Sequence, residues 1–290
     1  VPTGATGSEI AEILFDAGVI KSSQAFFGVA VADARSQKIA PGGHRLTVKI
    51  SAQQALEQLL DPERIPKLVK VNEGARKVEI QSSLKLYGFS EREIQTAFSR
   101  LKLPKGFTDS EGLLFPAQYS FVEGTSALSA AQEMIDRFMR EPIALELLEG
   151  KGKYSALALL TIASIVQAEG DISDFAKVSR VIYNRLAIGM PLQMDSTVHY
   201  VMKVRGDIFL SRDSTQLKSP YNTYLRYGVP PGPIGSPGSA AMEAALNPVV
   251  GDWLYFITVA PGDTRFTSNF EQFNTWKAIY IKNRKAGAFE

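Results

Sequence analysis

The residues best suited to chemistry in this 290-residue chain sit together at one helix end. Thr161-Ile162-Ala163-Ser164-Ile165-Val166-Gln167-Ala168-Glu169-Gly170 is an apolar run that closes on two polar side chains, of which only Glu169 can ionise. A carboxyl group enclosed in a partly apolar cleft has its pKa raised and stays protonated, which suits a general acid. Residues two apart on a continuous helix project about 200° from each other, so Gln167 and Glu169 face nearly opposite sides. Gln167 shares its face with Leu160, Ala163 and Ser164, mostly small residues that could floor a cleft. Glu169 shares its face with Ile162, Ile165 and Val166, which predicts packing, with Arg180 or Arg185 as an ion-pair partner. A two-carboxylate hydrolysis would need Asp171 or Asp195 to join Glu169.

Several other chemistries are excluded or disfavoured by composition. The chain has no cysteine, which removes thiol nucleophiles, disulfides and cysteine-ligated zinc. Its two histidines, His44 and His199, have no Gly-x-Ser-x-Gly elbow to serve, and no metal or cofactor is expected. Lys and Arg total 32 against 30 Asp and Glu, so the net charge of +2 implies no field for polyanions, and nucleic acid is not an expected partner. The apolar stretch from Ser155 to Val166 is far shorter than the ~20 residues that span a bilayer and reads as a buried core helix. Because the chain begins at Val1 and not Met, it is expected to be a processed or truncated fragment, and its localisation is not readable from these residues directly.

The elements that must position that helix end follow from hydrophobic periodicity. The first 150 residues read as short strands, each feeding a capped helix: Val1-Pro2-Thr3-Gly4 before Ser8 to Leu14, and Leu46 to Ser51 before Ala52 to Leu60. The other two units are Val71 to Gly74 before Val78 to Leu84, and Phe121 to Ser126 before Ala130 to Phe138. The glycines and lysines of Leu147 to Lys153 mark a boundary, giving an α+β region 1–150 and a mainly helical region 151–290 with a small β element. Ser155 caps a helix to Glu169, where Gly170 can end it in the left-handed conformation. Ser173 or Asp174 caps a second helix with Val178, Val181, Ile182 and Leu186 on one face, and Asp195 or Ser196 caps a third through Met202. Residues 229–238 hold four prolines and form a rigid loop. Trp253 to Val259 and Arg265 to Thr267 predict a hairpin, and Asn274 to Lys285 a closing helix.

Five linked motifs, in order, carry a resemblance. They are Ala163 to Glu169, Tyr183-Asn184-Arg185-Leu186, Gly189 to Tyr200, Tyr221-Asn222-Thr223-Tyr224 and Pro230-Pro231-Gly232-Pro233-Ile234. Together with Glu111-Gly112-Leu113-Leu114-Phe115-Pro116 upstream, they resemble the endolytic murein transglycosylases of the MltG (YceG-like) family over essentially the whole chain. The resemblance implies a LysM-like amino-terminal region followed by a lysozyme-like catalytic domain. It also implies cleavage of the β-1,4 bond between N-acetylmuramic acid and N-acetylglucosamine to leave a 1,6-anhydro end. The resemblance further implies peptidoglycan glycan strands as the substrate, cell-wall synthases as candidate partners, and a setting on the outer face of the bacterial cytoplasmic membrane, with this chain the soluble part of a protein held by an amino-terminal anchor absent from it.

In the family pattern Ala-Ser-Ile-Val-Glu-x-Glu, the acid is assigned to the first glutamate, which is Gln167 here. An amide has no proton to transfer, so this copy is expected to be disabled, either as an engineered, nearly isosteric Glu-to-Gln change or as a natural loss, with Glu169 the secondary candidate. A non-catalytic glycan-binding scaffold is the alternative. The resemblance places Ser164, Gln193, Asp195, Tyr221, Asn222, Thr223, Tyr224, Pro231 and Gly232 along the sugar-binding cleft, where aromatic faces stack on sugar rings and polar groups take hydroxyls. The chain departs from the pattern at Ser196, where proline is common, and at Thr264-Arg265-Phe266 and Gln272-Phe273-Asn274, where the family carries histidines.

Overall fold

A computed structural model describes residues 1–2, 4–65, 68–122, 124–205 and 210–289. In chain order the helices and strands are α1 (Gly7–Asp16), α2 (Ser23–Ala32), α3 (Ala52–Leu60), β1 (Leu68–Val71), α4 (Lys77–Tyr87), α5 (Glu91–Phe98), β2 (Ala117–Ser120) and α6 (Ala127–Phe138). They continue as α7 (Pro142–Leu148), α8 (Ala156–Glu169), α9 (Phe175–Ala187), α10 (Asp195–Met202), α11 (Ser239–Leu246), β3 (Tyr255–Ala260), β4 (Asp263–Thr267) and α12 (Phe270–Lys285). The class is α+β, as expected. Two compact units interleave along the chain: Val1–Val71 with Ser82–Ser99 and Ala117–Ala130, and Asn72–Gln81 with Arg100–Pro116 and Ala131–Glu290. Among the described residues no helix is long and apolar enough to cross a membrane.

The first unit is built on α1 to α3, whose Ile10, Leu14, Phe26, Leu56 and Leu59 form one buried cluster. Reciprocal capping boxes start α1 (Thr6 with Glu9), α3 (Ser51 with Gln54) and α5 (Ser90 with Glu93). Among the described residues none of the four expected strands lies where it was placed: β1 covers Leu68–Val71, so Asn72 to Gly74 fall outside it in a turn, and it pairs antiparallel with β2, from Leu68 opposite Ser120 to Val71 opposite Ala117. Leu46 to Ser51 is not a strand, because Lys49 adopts a left-handed φ of 58° and the Lys49 and Ile50 amides donate to the Gly18 and Val19 carbonyls. Phe121 to Ser126 turns instead of extending, with Thr125 N–H on Val122 O and Gly124 at φ 84°; its Glu123, like Thr3 of the first expected unit, lies outside the described residues.

The second unit centres on α8, where Leu159 through Val166 are all buried between α7, α9, α10 and α11. Each fully buried Leu, Ile or Val there contributes about 1.5–3 kcal/mol, so the helix is fixed by packing on every side. Ser155 caps it as expected, its Oγ accepting the Ala158 N–H at 3.3 Å. Gly170 does not end it in the left-handed region; φ is −149°, and glycine suits the position because a Cβ there would lie 3.2 Å from Val178 Cγ2. The α9 face is Phe175, Val178, Val181 and Ile182, with Arg185 buried and Leu186 only partly so. Asp195 is the first residue of α10 and not its cap; Met194 holds the cap position and no side chain caps it. The β3–β4 hairpin pairs Tyr255 with Thr267, and α12 begins at Phe270, four residues early, because Asn269 accepts the Gln272 N–H at 2.9 Å.

Candidate active site

Gln167 and Glu169 leave α8 toward different elements, as their spacing requires. Glu169 is the last residue of the helix, beyond the buried turn, and its Oε1 accepts the Ser196 backbone N–H of α10 at 2.9 Å. It has no ion pair with either expected arginine among the described residues. Arg185 is buried and turns its Nε to Leu254 O at 2.7 Å and its Nη1 to Leu192 O, while Arg180 Nη2 donates to Pro248 O at 3.2 Å. Burial raises the Glu169 pKa above the usual glutamate value; Ser196 opposes this, the nearby Asp195 charge adds to it, and Arg185 partly offsets it. Tyr224 closes the group, donating its hydroxyl to Asp195 Oδ1. Burial, followed by the Asp195 charge, pushes the Tyr224 phenol well above its ordinary value, so it remains a donor.

Gln167 faces a different environment. Its Oε1 accepts the Gly238 N–H at 2.9 Å, and a Cβ on Gly74 would stand 3.6 Å from its Cγ. The loop 229–238 is clamped to residues 74–75 by Gly74 N–H on Ser236 O (2.7 Å) and Ser236 N–H on Ala75 O (2.8 Å). Close approach explains the glycines there: a Cβ on Gly235 would meet Gly74 O at 2.5 Å, and one on Gly238 would meet Glu73 Oε1 at 2.1 Å. Gly112, at φ 85°, seats the Glu111-Gly112 turn against Pro233 of the same loop.

The other residues expected along the cleft divide into those held inward and those available to a ligand. Ser164 is buried with its hydroxyl in use, donating to Thr161 O at 2.7 Å and accepting the Ile234 N–H at 3.0 Å, so it pins the loop to α8. Asn222 is fully buried and shapes its own turn, donating to Thr215 O and Leu217 O and accepting the Tyr224 N–H. Thr223 is buried too; its Oγ1 accepts the Met194 N–H at 2.9 Å and bonds Thr197 Oγ1 at 3.0 Å, which fixes the start of α10. Tyr221 and Tyr224 remain partly exposed, while Gln193, Asp195 and Pro231 are exposed and Gly232 is buried. Gln193 holds a left-handed φ of 49°, and Gly232 is small because a Cβ would lie 3.1 Å from Tyr221 Oη.

Glu111 lies within a motif whose residues signal no task for it in the sequence. It is buried; Oε1 accepts the Lys77 N–H at 2.9 Å, Oε2 accepts the Tyr200 hydroxyl at 3.1 Å, and burial still raises its pKa. The Tyr200 ring lies 5.0 Å from that of Tyr221, with the Arg76 guanidinium 5.3 Å from its centre, so Glu111 indirectly holds one wall aromatic. Its pairing with Tyr200, 89 residues on, has no signal in the sequence.

The fold and site thus define a helix-rich α+β protein with one perturbed carboxyl group at the end of α8, beside Tyr224 and the Asp195 carboxylate. The chain belongs to the YceG-like family, whose model matches residues 1–278. It is 31% identical over 308 residues to the endolytic murein transglycosylase of Bacillus subtilis, covering 98% of this chain and 84% of that protein. It is 36% identical over 181 residues to the endolytic murein transglycosylase of Streptococcus pneumoniae, covering 60% of this chain and 33% of that relative. Among solved structures, a yceG-like protein from Listeria monocytogenes superposes with a TM-score of 0.63 at 26% identity, covering 95% of this chain and 96% of that one.

Proposed function

We propose that this chain is an endolytic murein transglycosylase in which Glu169 acts first as acid and then as base. The names of its relatives support the reaction. One observation supports the residue: Glu169 is the titratable group of α8 that meets Asp195, Ser196 and Tyr224, with its pKa raised by burial. Protonated Glu169 gives its proton to the glycosidic oxygen as the C1–O bond of N-acetylmuramic acid breaks, releasing N-acetylglucosamine with a free 4-hydroxyl. The Glu169 carboxylate then removes the proton of the sugar's own 6-hydroxyl as that oxygen bonds C1, closing the 1,6-anhydro ring and restoring the acid. No water is consumed, so a second carboxylate is not needed as nucleophile or base. Asp195 helps keep Glu169 protonated, and the Tyr221 and Tyr224 rings suit the faces of sugars.

A second reading keeps position 167 as the acid and this copy as a disabled glycan binder. What favours it is Glu73, whose carboxyl lies against Gly238, the partner of Gln167; a glutamate at 167 would have a like charge nearby to raise its pKa. The two readings separate on intact peptidoglycan by mass spectrometry of anhydro-muropeptides. The first expects the chain as given to release them and Glu169→Gln to stop it; the second expects release only from Gln167→Glu.

The remaining expectations from the resemblance belong to the same proposal. Residues 1–150 carry LysM-like glycan binding, and residues 151–290 carry the chemistry with help from 72–81 and 109–112. The full-length protein works beside cell-wall synthases from an amino-terminal anchor on the outer face of the cytoplasmic membrane.

A further inference from the structure

We propose that Ser196 is a positioning residue for Glu169: its backbone N–H makes Oε1 a standing acceptor, so that Oε2 carries the transferable proton, and its buried hydroxyl becomes a second donor once that proton has left. The inference rests on Glu169 being the acid and assigns work within that site that neither the sequence nor the comparisons point to.

The first support is geometric. The Ser196 amide stands 2.9 Å from Glu169 Oε1, and a proton on that oxygen would face the N–H proton. The neutral acid is therefore protonated on Oε2, and the carboxyl plane is held while Oε2 meets the substrate. The amide is available because Ser196 is the second residue of α10, where first-turn N–H groups have no partner within the helix and carry partial positive charge.

The second support is the side chain. Ser196 is 8% exposed, and its Oγ has no hydrogen-bond partner among the described residues. A buried hydroxyl left unpaired calls for an explanation. The hydroxyl belongs to the residue whose amide already bonds Glu169 Oε1, and with no other partner among the described residues its O–H is free to turn onto the carboxylate, which favours the ionised form. Three other groups face this carboxyl: Asp195 of α10 opposes its ionisation, Arg185 of α9 favours it, and Tyr224 is occupied with Asp195. Ser196 is the one that donates directly.

The test is the pH dependence of anhydro-muropeptide release by the chain and by Ser196→Ala, Ser196→Pro and Glu169→Gln, from about pH 4 to about pH 9. Proline is tolerated in the first turn of a helix, so Ser196→Pro removes the amide donor alongside the hydroxyl, while Ser196→Ala removes the hydroxyl alone. Losing donors to the carboxylate raises the Glu169 pKa, so the alkaline limb of kcat should move up by about half a pH unit in Ser196→Ala and by about one unit in Ser196→Pro. A purely structural role would lower kcat without moving the limb. Should Ser196→Pro fail to fold, the carbon-13 titration midpoint of the Glu169 carboxyl in Ser196→Ala must still rise. Unmoved limbs and midpoints, with Glu169→Gln inactive, overturn the Ser196 inference alone. Wild-type turnover by Glu169→Gln overturns the assignment of Glu169 beneath it.

Discussion

The two sides of the α8 terminus are built on opposite principles. On the Gln167 side the backbone is locked: Gly74, Gly235 and Gly238 allow two chain segments to touch, and the one side-chain amide accepts a Gly238 N–H. On the Glu169 side polar groups that can exchange or donate protons gather around the start of α10: a carboxyl with a raised pKa, a second carboxylate, a phenol and an unpaired buried hydroxyl. Rigid backbone contact fixes one local shape, whereas perturbed groups are where proton transfer is done. The difference teaches that an amide at position 167 need not mean a lost catalyst.

The largest expected effect breaks this comparison directly. Glu169→Gln should reduce anhydro-muropeptide release by about 10²- to 10⁴-fold, the usual worth of a general acid, with circular dichroism unchanged. Gln167→Glu should change the same rate by less than about tenfold, because a carboxylate oxygen can still accept the Gly238 N–H. A reversal of these two results would move the acid to the locked side.

Next in size is a stability effect confined to that locked side. Gly235→Ala would drive a methyl group to 2.5 Å from the Gly74 carbonyl oxygen, a backbone atom with no room to withdraw. A loss of about 1–3 kcal/mol is expected, read as a lower Tm in differential scanning calorimetry. The alkaline limb of the residual activity should stay where it is, since no titratable group on the Glu169 side changes.

Much of this architecture can be read in the residues. The α8 and α9 helices, the proline-rich loop and the β3–β4 hairpin follow from apolar spacing, capping residues and φ-locked prolines. Leu46, Val48 and Ile50 misled because alternation is only a precondition for a strand: Val48 is exposed, and the left-handed Lys49 breaks the extension. Ala117 to Ser120 carries too little apolar pattern to announce β2, which exists because β1 pairs with it. In the site, Glu169, Asp195 and Tyr224 were identifiable by type. Asn222, Thr223 and Ser164, expected along the cleft, hold the frame with their hydrogen bonds. What periodicity could not supply is the partner of each polar end. Glu169 meets an amide 27 residues later, and that contact arises from tertiary packing.

A smaller effect sharpens the electrostatics of the titrating side. Asp195→Asn removes the like charge that helps raise the Glu169 pKa, while its amide oxygen can still accept the Tyr224 hydroxyl. Glu169 should then ionise at lower pH, moving the alkaline limb of kcat downward, opposite in sign to the shift expected from losing the Ser196 donors. An upward shift would mean that Asp195 acts through something other than its charge.

The smallest effect expected is thermodynamic. A carboxyl whose folded pKa lies above its unfolded value binds its proton more tightly when folded, so its contribution to stability is full below the unfolded value and is lost as pH rises through the folded one. Glu169→Gln is neutral throughout and does not bury a charge in alkaline solution. Its Tm should therefore match that of the parent chain near pH 4, about the ordinary glutamate pKa, and exceed it near pH 8. Glu111, also buried and raised, titrates with the same sign but is present in both proteins, so the difference in Tm isolates Glu169. If the two chains keep the same Tm difference at both pH values, Glu169 is not the perturbed acid of the cleft.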